Sequence, residues 1–157
     1  MIKINEGRLI ASGMKIAIVC ARFNSFITER LIEGAIDTLK RHGCEEENIE
    51  IFKVPGCFEV PLAASRVVAC KKFDGVVCLG ALIRGETPHF DYIASESIKG
   101  IAQTALQTGC VLTYGIITAD TVDQAINRAS LKSGNKGSEA ALAAIEMIDL
   151  LRQCPIA

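Results

Sequence analysis

The sequence lacks the features that mark several classes of protein. Its 17 lysines and arginines nearly balance its 18 aspartates and glutamates, so no charge excess indicates binding to nucleic acid or to an anionic membrane. No apolar run reaches transmembrane length, and residues 1–6 lack the apolar core of a signal peptide. We therefore expect a cytoplasmic protein that binds neither nucleic acid nor a membrane.

Motifs for nucleotide and metal binding are also missing. Neither a Walker A loop nor a Gly-x-Gly-x-x-Gly fingerprint is present, which argues against ATP and dinucleotides as ligands. None of the seven cysteines belongs to a Cys-x-x-Cys pair, so we interpret them as reduced, mostly buried thiols. His42 and Cys44 could serve as two metal ligands, but no second pair accompanies them, so a metal site is not expected.

What the sequence does contain is a regular alternation of strand and helix patterns. Four segments are apolar at nearly every position, as strands covered on both faces should be. This alternation predicts a parallel sheet with helices on both faces, because parallel neighbours need crossover connections. The predicted strands span residues 15–21, 49–54, 75–82 and 111–118.

The segments between these strands show helical spacing. Ile27, Leu31, Ala35 and Leu39 recur every four residues, and residues 42–43 (His-Gly) supply the stop signal. The apolar positions of three other helices fall within residues 60–68, 93–105 and 141–151, and a shorter helix is predicted for residues 121–129.

No internal repeat, linker or low-complexity stretch divides the chain, so one domain over residues 1–157 is expected. Residues 1–12 are expected to form an N-terminal arm or strand. A strand could cover residues 6–11, although their alternation is poor.

Polar and aromatic residues follow each predicted strand. The first strand is followed by residues 22–24 (RFN), the second by residues 55–59 (PGCFE), the third by residues 83–90 (IRGETPHF) and the fourth by residues 119–120 (AD). Open parallel sheets bind ligands beyond the carboxyl ends of their strands. We therefore expect the binding site at this edge of the sheet.

The loop after the third strand carries the strongest chemical signal. Gly85 permits a tight turn, Thr87 can cap the next helix, and Pro88 suits its first position. A helix start can hold an anion such as phosphate. His89 would lie beside that anion and could transfer protons, because histidine titrates near neutrality. The alternative is an ordinary helix cap followed by a solvent-exposed histidine.

Other candidate residues each have two interpretations. Phe23 could stack on a flat ring or form a lid over the core. Glu59 could bind hydroxyl groups or merely favour a helix N-terminus. Arg128 lies at the end of a short helix and Lys136 in a flexible loop, residues 134–137. Either cation could bind phosphate or be a solvated surface charge, and the residues alone leave these alternatives open.

Five motifs carry a resemblance to a known family. They are residues 21–24 (ARFN), 54–61 (VPGCFEVP), 83–92 (IRGETPHFDY), 115–118 (GIIT) and 134–137 (GNKG). In this order they resemble the 6,7-dimethyl-8-ribityllumazine synthase family, and the third motif is close to diagnostic. The resemblance extends over about residues 6–151, nearly the whole chain.

The resemblance implies a flavodoxin-like three-layer sandwich around a four-stranded parallel sheet. It implies a transferase of riboflavin biosynthesis that condenses 5-amino-6-(D-ribitylamino)uracil with 3,4-dihydroxy-2-butanone 4-phosphate, releasing phosphate and water. Such enzymes need no metal or organic cofactor. The implied partners are the two substrates, copies of the same chain in a pentamer or a 60-subunit icosahedral shell, and riboflavin synthase. The alternatives are a flavin- or pyrimidine-binding module and a shell protein without catalysis.

The resemblance also implies residue roles. His89 would move protons, Glu86 and Thr87 would cradle the phosphate, and Arg128 would pair with it. The pocket of this family lies between subunits, so Tyr114, Arg128 and Lys136 would come from a neighbour. Asn24 and Lys136 would have supporting roles. Residues implied to contact the pyrimidine substrate are Phe23, Cys57, Phe58, Glu59, Ala81, Leu82, Ile83 and Tyr114, with Glu59 on the ribityl hydroxyls and residues 81–83 acting through their backbone.

Four positions depart from common family forms. Tyr114 stands where phenylalanine is frequent, and its hydroxyl needs a partner. Cys57 stands where a small or hydroxyl residue is usual. Ser130-Leu131 replaces a more typical Gly-Thr pair. Residues 130–137 contain no insertion relative to shell-forming relatives, which favours the shell by analogy.

Overall fold

A computed structural model describes residues 1–130 and 134–154 of the chain. Each predicted strand and helix is present, and the strand bounds agree with the predicted ones to within one residue. The strands are β1 (Ile16–Ala21), β2 (Ile49–Val54), β3 (Gly75–Ile83), β4 (Val111–Ala119), β5 (Ala129–Ser130) and β6 (Gly134–Asn135). The helices are α1 (Ser25–Arg41), α2 (Val60–Ala69), α3 (His89–Thr108), α4 (Val122–Arg128) and α5 (Lys136–Gln153).

The four long strands form one parallel sheet in the order β2-β1-β3-β4. Ile16 of β1 pairs with Ile49 of β2 and with Gly75 of β3, and Gly75 in turn pairs with Val111 of β4. Because all strands run in one direction, the loops that follow them emerge at one edge of the sheet. The predicted α/β sandwich with helices on both faces is confirmed.

Two hydrophobic cores lie on opposite faces of this sheet. The strands alternate, so that Ile16, Ile18 and Cys20 of β1 face α1 and α5, whereas Ala17 and Val19 face α2 and α3. Every residue of β1 is buried. Burial of each leucine or isoleucine in such a core stabilises the fold by about 1.5–3 kcal/mol. The two cores therefore hold the helices against the sheet from which the loops emerge.

His42 and Cys44, the two possible metal ligands, make structural contacts at the end of α1. The Nδ1 atom of His42 lies 2.7 Å from the carbonyl oxygen of Thr38, and Gly43 follows with φ of 99°. The buried Cys44 thiol points to the carbonyl oxygen of Met14 at 3.4 Å. The predicted helix stop at residues 42–43 is confirmed, and both side chains contact backbone carbonyls.

The alternative of a strand over residues 6–11 is wrong. The structure assigns no strand to residues 1–14, which it describes in full. The segment is an arm along α5 instead, held by hydrogen bonds from Arg8 to the side chain of Asp149. The backbone N–H of Arg8 donates to Asp149 Oδ2 at 2.7 Å, and its guanidinium donates to both carboxylate oxygens at 3.1 and 3.2 Å. Gly7 lies so close to the Glu146 carbonyl that a Cβ atom would clash with it.

The predicted flexible loop at residues 134–137 is also wrong. Gly134 and Asn135 form β6, and Lys136 begins α5. Asn135 caps this helix by accepting the Ser138 N–H at 3.0 Å, and its amide group donates to the carbonyl oxygen of Arg30 at 3.1 Å. These bonds fix the start of α5 against α1. Leu131, one of the departures from the family pattern, lies outside the described residues.

None of the helices in the described part of the chain is long and apolar enough to cross a membrane.

Candidate active site

Backbone hydrogen bonds at the carboxyl edge of the sheet join the loop after β1 to the end of β2, and the loop after β3 to the end of β4. The N–H groups of Arg22 and Phe23 donate to the carbonyl oxygens of Val54 and Pro55, at 2.7 and 3.1 Å. The N–H of Arg84, directly after β3, donates to Ala119 at 2.9 Å. Since backbone donors and acceptors are used up in these contacts, the loops are held relative to one another.

A cavity of about 730 Å³ opens between these loops and the start of α3. This volume is in the range of pockets that hold small organic ligands. Its walls are mostly apolar, with a few polar side chains. The lining residues are Phe23, Asn24, Pro55, Gly56, Cys57, Phe58, Glu59, Ala81, Leu82, Ile83, Gly85, Thr87, His89, Phe90 and Ile93.

Phe23 and Asn24 form one wall. The Phe23 side chain is 71% exposed, so the interpretation of this ring as a lid over the core is wrong. Asn24 adopts a left-handed conformation with φ of 63° and donates from Nδ2 to the carbonyl oxygen of Ala81 at 2.9 Å. Asparagine tolerates this backbone region better than most residues do. Asn24 therefore turns the chain into α1 and ties the loop after β1 to the end of β3.

The segment Cys57–Glu59 forms a single 3-10 turn on a second wall. Cys57 is only 4% exposed, and burial raises the pKa of its thiol to about 12, so the sulfur is a neutral wall atom. Gly80 makes room for it, since a Cβ atom there would lie 2.6 Å from the sulfur. Phe58 and Glu59 are exposed, and the Glu59 side chain makes no capping hydrogen bond with α2.

The floor of the cavity is the end of β3. Ala81 is buried, whereas Leu82 and Ile83 are half-buried where the sheet gives way to the loop. The strand pairs with β4 up to Ile83, so the backbone of these residues is held in place by ladder hydrogen bonds. Peptide groups fixed at a strand end can recognise the polar edge of a flat ring.

His89 is the first residue of α3 and is exposed on the cavity wall. Pro88 occupies the capping position, and its carbonyl oxygen accepts the N–H groups of Asp91 and Tyr92 at 3.1 and 3.4 Å. The prediction that Thr87 caps this helix is wrong, because the helix begins one residue later than that role requires. Thr87 lines the cavity instead, close to the free N–H groups that a helix start presents.

Four predicted site residues lie outside the cavity. Glu86 is exposed in the loop before α3. Tyr114 lies in the first half of β4, half-buried against the α2/α3 core, and burial raises the pKa of its phenol. Arg128 ends α4, and its exposed side chain makes no hydrogen bond or ion pair with the described residues. Lys136 begins α5, and its Nζ lies 3.9 Å from a Glu139 carboxylate oxygen.

Comparison with known proteins decides the family. Residues 13–152 match the family model for 6,7-dimethyl-8-ribityllumazine synthase. A protein named 6,7-dimethyl-8-ribityllumazine synthase in Syntrophus aciditrophicus (strain SB) is 53% identical over 150 residues, which are 96% of this chain and 97% of that protein. The chain belongs to the 6,7-dimethyl-8-ribityllumazine synthase family.

Membership in the lumazine synthase family confirms the resemblance drawn from the five motifs. The family match begins at residue 13, so the arm that contacts α5 precedes it. Within residues 1–130 and 134–154, no three histidine, cysteine, aspartate or glutamate side chains converge as metal ligands would. All seven cysteines are free, and four of them are buried.

The side chain of Arg84 makes contacts beside the cavity that were not predicted from the sequence. Its Nε donates to Asp120 Oδ1 at 2.9 Å, and its terminal nitrogens lie 3.2 Å from the Asp91 carboxylate oxygens. These bonds to Asp120 and Asp91 raise the pKa of the guanidinium. Its central carbon lies 4.6 Å from the centre of the Phe90 ring. The partners are 36 and 7 residues away, so no local pattern pointed to them.

Some cavity residues were also not assigned a role from the sequence. Ile93 follows His89 by four residues on α3, and this spacing places both side chains on one face of the helix. That spacing could have identified Ile93. Pro55 and Gly56 follow β2 directly, and both line the cavity.

Proposed function

We propose that this protein condenses 5-amino-6-(D-ribitylamino)uracil with 3,4-dihydroxy-2-butanone 4-phosphate to give 6,7-dimethyl-8-ribityllumazine, phosphate and water. In this reaction the amine and the ketone form an imine with loss of one water, phosphate leaves, and the ring closes after tautomerisation with loss of a second water. The observation that carries the proposal is one cavity, in a member of this family, that combines an exposed aromatic ring, fixed strand-end peptides and a histidine at a helix start.

The pyrimidine substrate fits the side of the cavity built by β1, β2 and β3. We infer that the exposed Phe23 ring stacks on the pyrimidine, while the peptide groups of residues 81–83 contact its polar edge. Glu59 is an exposed carboxylate on the opposite wall and can accept hydrogen bonds from ribityl hydroxyls. Cys57 and Phe58 complete the wall as apolar surface, which suits the flat faces of the ring.

The phosphate substrate fits the start of α3. Backbone N–H groups and the partial positive charge of a helix start favour an anion, and the Thr87 hydroxyl can donate to it. Glu86 would contribute through its backbone N–H, because its exposed side-chain carboxylate would repel phosphate. No lysine or arginine side chain lines the cavity described for this chain. A cation from elsewhere is therefore needed to balance the phosphate.

Arg128 is the cation that we assign to this role. It is exposed and makes no ion pair with the described residues of its own chain. We infer that the site is shared between two copies, with Arg128, Tyr114 and Lys136 supplied by the neighbour. A cyclic ring repeats one heterologous interface, so each junction can form the same composite pocket. We propose a pentamer or a 60-subunit shell of pentamers, with riboflavin synthase as a candidate partner and the cytoplasm as the compartment.

Most of the rate is expected from bringing the two substrates together. Orientation of two reactants can supply about 7–11 kcal/mol of the barrier. Proton transfer by one positioned histidine is typically worth about 10²–10⁴-fold. His89, next to the phosphate position, can deliver a proton to the leaving phosphate or remove one during tautomerisation.

A direct assay tests the proposal. The purified protein is mixed with both substrates, and formation of the lumazine is followed by its absorbance. Turnover that requires both substrates is expected. A binding module without catalysis would retain a flavin or pyrimidine and give no product, and a shell protein without catalysis would assemble and bind neither substrate. Either result would contradict the proposed reaction.

A further inference from the structure

The side chain of Arg84 joins three parts of the site. Its guanidinium contacts the carboxylate of Asp120, which follows β4, and the carboxylate of Asp91 in the first turn of α3. The same group lies over the ring of Phe90, whose side chain lines the cavity. The backbone N–H of Arg84 meanwhile donates to Ala119. One residue therefore links the ends of β3 and β4 to the start of the helix that carries His89.

The contacts of Arg84 argue against a role in binding the phosphate substrate. Two carboxylates already accept hydrogen bonds from the guanidinium and balance its charge, and the side chain does not line the cavity. A phosphate approaching this group would meet the negative charges of Asp91 and Asp120. Planar, fork-shaped donors of this kind hold two acceptors at fixed angles, which a lysine cannot do.

Resting on the proposed function, we propose that Arg84 is a positioning residue that sets the start of α3, and with it His89 and Phe90, for the condensation. Its two ion pairs are partly exposed, with side-chain exposures of 45% for Arg84, 55% for Asp91 and 67% for Asp120. Exposed pairs add little to stability. The contribution of Arg84 should therefore appear in turnover more than in folding.

The test compares Arg84→Met, Arg84→Lys, Asp91→Asn and Asp120→Asn with wild type in steady-state assays of both substrates. Arg84→Met keeps a stem over Phe90 but loses the fork, and the two Asn variants keep the shape of the carboxylates. We expect kcat to fall about 10- to 100-fold in Arg84→Met, the range that a small misplacement of reacting groups produces, with little change in either KM. Arg84→Lys should not restore kcat.

Coupling between the partners sharpens the test. Arg84→Met added to the Asp91→Asn/Asp120→Asn protein should cost little further activity, because the contacts are already gone. Arg41→Met and Asp37→Asn are the matched controls. They break an exposed pair of 2.9 Å at the end of α1, which lies at the opposite edge of the sheet, and should leave kcat unchanged. Circular dichroism and native mass spectrometry check that each variant folds and assembles, and the two Asn variants keep the test available if Arg84→Met does not fold.

Two results would overturn the positioning role. A raised KM for the phosphate substrate in Arg84→Met at unchanged kcat, together with a lowered KM in Asp91→Asn, would make Arg84 a phosphate ligand. Wild-type kinetics in all variants would leave Arg84 without a role. Absence of turnover in wild type would instead contradict the proposed reaction, and this inference with it.

Discussion

In the described part of the chain, the candidate site residues fall into two groups, one that forms a cavity without a cation and one that carries cations away from the cavity. The group on the loops after β1, β2 and β3 forms a cavity whose lining contains a carboxylate, Glu59, and no lysine or arginine among the described residues. The group on β4, α4 and α5 lies away from that cavity. It includes the exposed Arg128, which has no ion pair within the described chain, and Lys136, whose nearest carboxylate is 3.9 Å away.

The difference between these groups teaches how the site is completed. The cavity group is fixed by backbone bonds within one chain, such as those from Arg22 and Phe23. The second group offers Arg128, a cation that makes no ion pair with the described residues. A phosphate bound at the start of α3 needs a cation, and two copies of the chain in a ring can bring the groups together. We therefore expect each variant in the cavity group to change kcat, substrate affinity or stability, according to the contacts of the residue that is replaced.

The largest effect is expected for His89→Ala. Loss of a proton-transfer group should lower kcat by about 10²–10⁴-fold while leaving residual turnover, because orientation of the substrates persists. His42 offers a matched control, since it is the second histidine of the chain and contacts Thr38 at the far end of α1. His42→Ala should keep wild-type kcat. Equal kcat in His89→Ala and wild type would remove His89 from the mechanism.

A smaller effect is expected for Phe23→Ala. Stacking of an aromatic side chain on a base is worth about 1–3 kcal/mol, so affinity for a pyrimidine analogue should fall by that amount. Affinity for the phosphate substrate should barely change, which would separate the two halves of the cavity. Phe26→Ala is the control, because Phe26 is 55% exposed on α1 but does not line the cavity. Calorimetric titration measures these affinities. Equal affinities of Phe23→Ala and wild type for the pyrimidine analogue would exclude stacking by Phe23.

Variants of Asn24 test how the cavity wall formed by Phe23 and Asn24 is stabilised. Asn24→Gly keeps the left-handed backbone but loses the hydrogen bond to Ala81, and should destabilise the protein by about 1 kcal/mol. Asn24→Ala also strains the backbone and should cost about 1 kcal/mol more. Urea unfolding at one protomer concentration measures both free energies. A glycine variant less stable than the alanine variant would contradict the assigned role of the left-handed turn.

A further effect, on stability in acid, concerns α5, the helix that Lys136 begins. Hydrogen bonds from Arg8 lower the pKa of Asp149 to about 2. With an unfolded-state pKa of about 3.9, the resulting stabilisation is complete above about pH 4 and is lost as pH falls toward 2. Asp149→Asn should therefore be less stable than wild type at neutral pH, with a difference that shrinks in acid. A difference that stays constant from pH 7 to pH 2 would contradict the pairing.

Much of the fold was predictable because its strands are buried on both faces. A strand such as β1, with every residue buried, is a continuous apolar run in the sequence, and its short length favours a strand over a helix. The path of the N-terminal arm along α5 and the conformation of residues 134–137 were not predictable. Their conformations depend on Asp149 and on the contact of Asn135 with Arg30, more than 100 residues away in sequence.

The site was predictable where it depends on strand order and less so where it depends on side-chain partners. The carboxyl ends of parallel strands must share an edge, so Phe23 and the residues after β2 and β3 were expected to meet. Thr87 failed as a cap because a helix start shifts by one residue at small cost. Arg84 was missed because nothing local reveals that Asp120 will reach it.

Complementation between two impaired variants tests the shared site most directly. His89→Ala and Arg128→Ala are co-expressed in equal amounts so that rings contain both chains. A junction is intact when His89 comes from the Arg128 variant and Arg128 from the His89 variant, which random mixing gives at about a quarter of junctions. Activity should therefore recover to about a quarter of the wild-type value, while the two proteins purified separately and combined without subunit exchange should stay low. Mixed rings that mass spectrometry confirms but that show no recovery would mean that both residues serve the pocket of one chain, which contradicts the account.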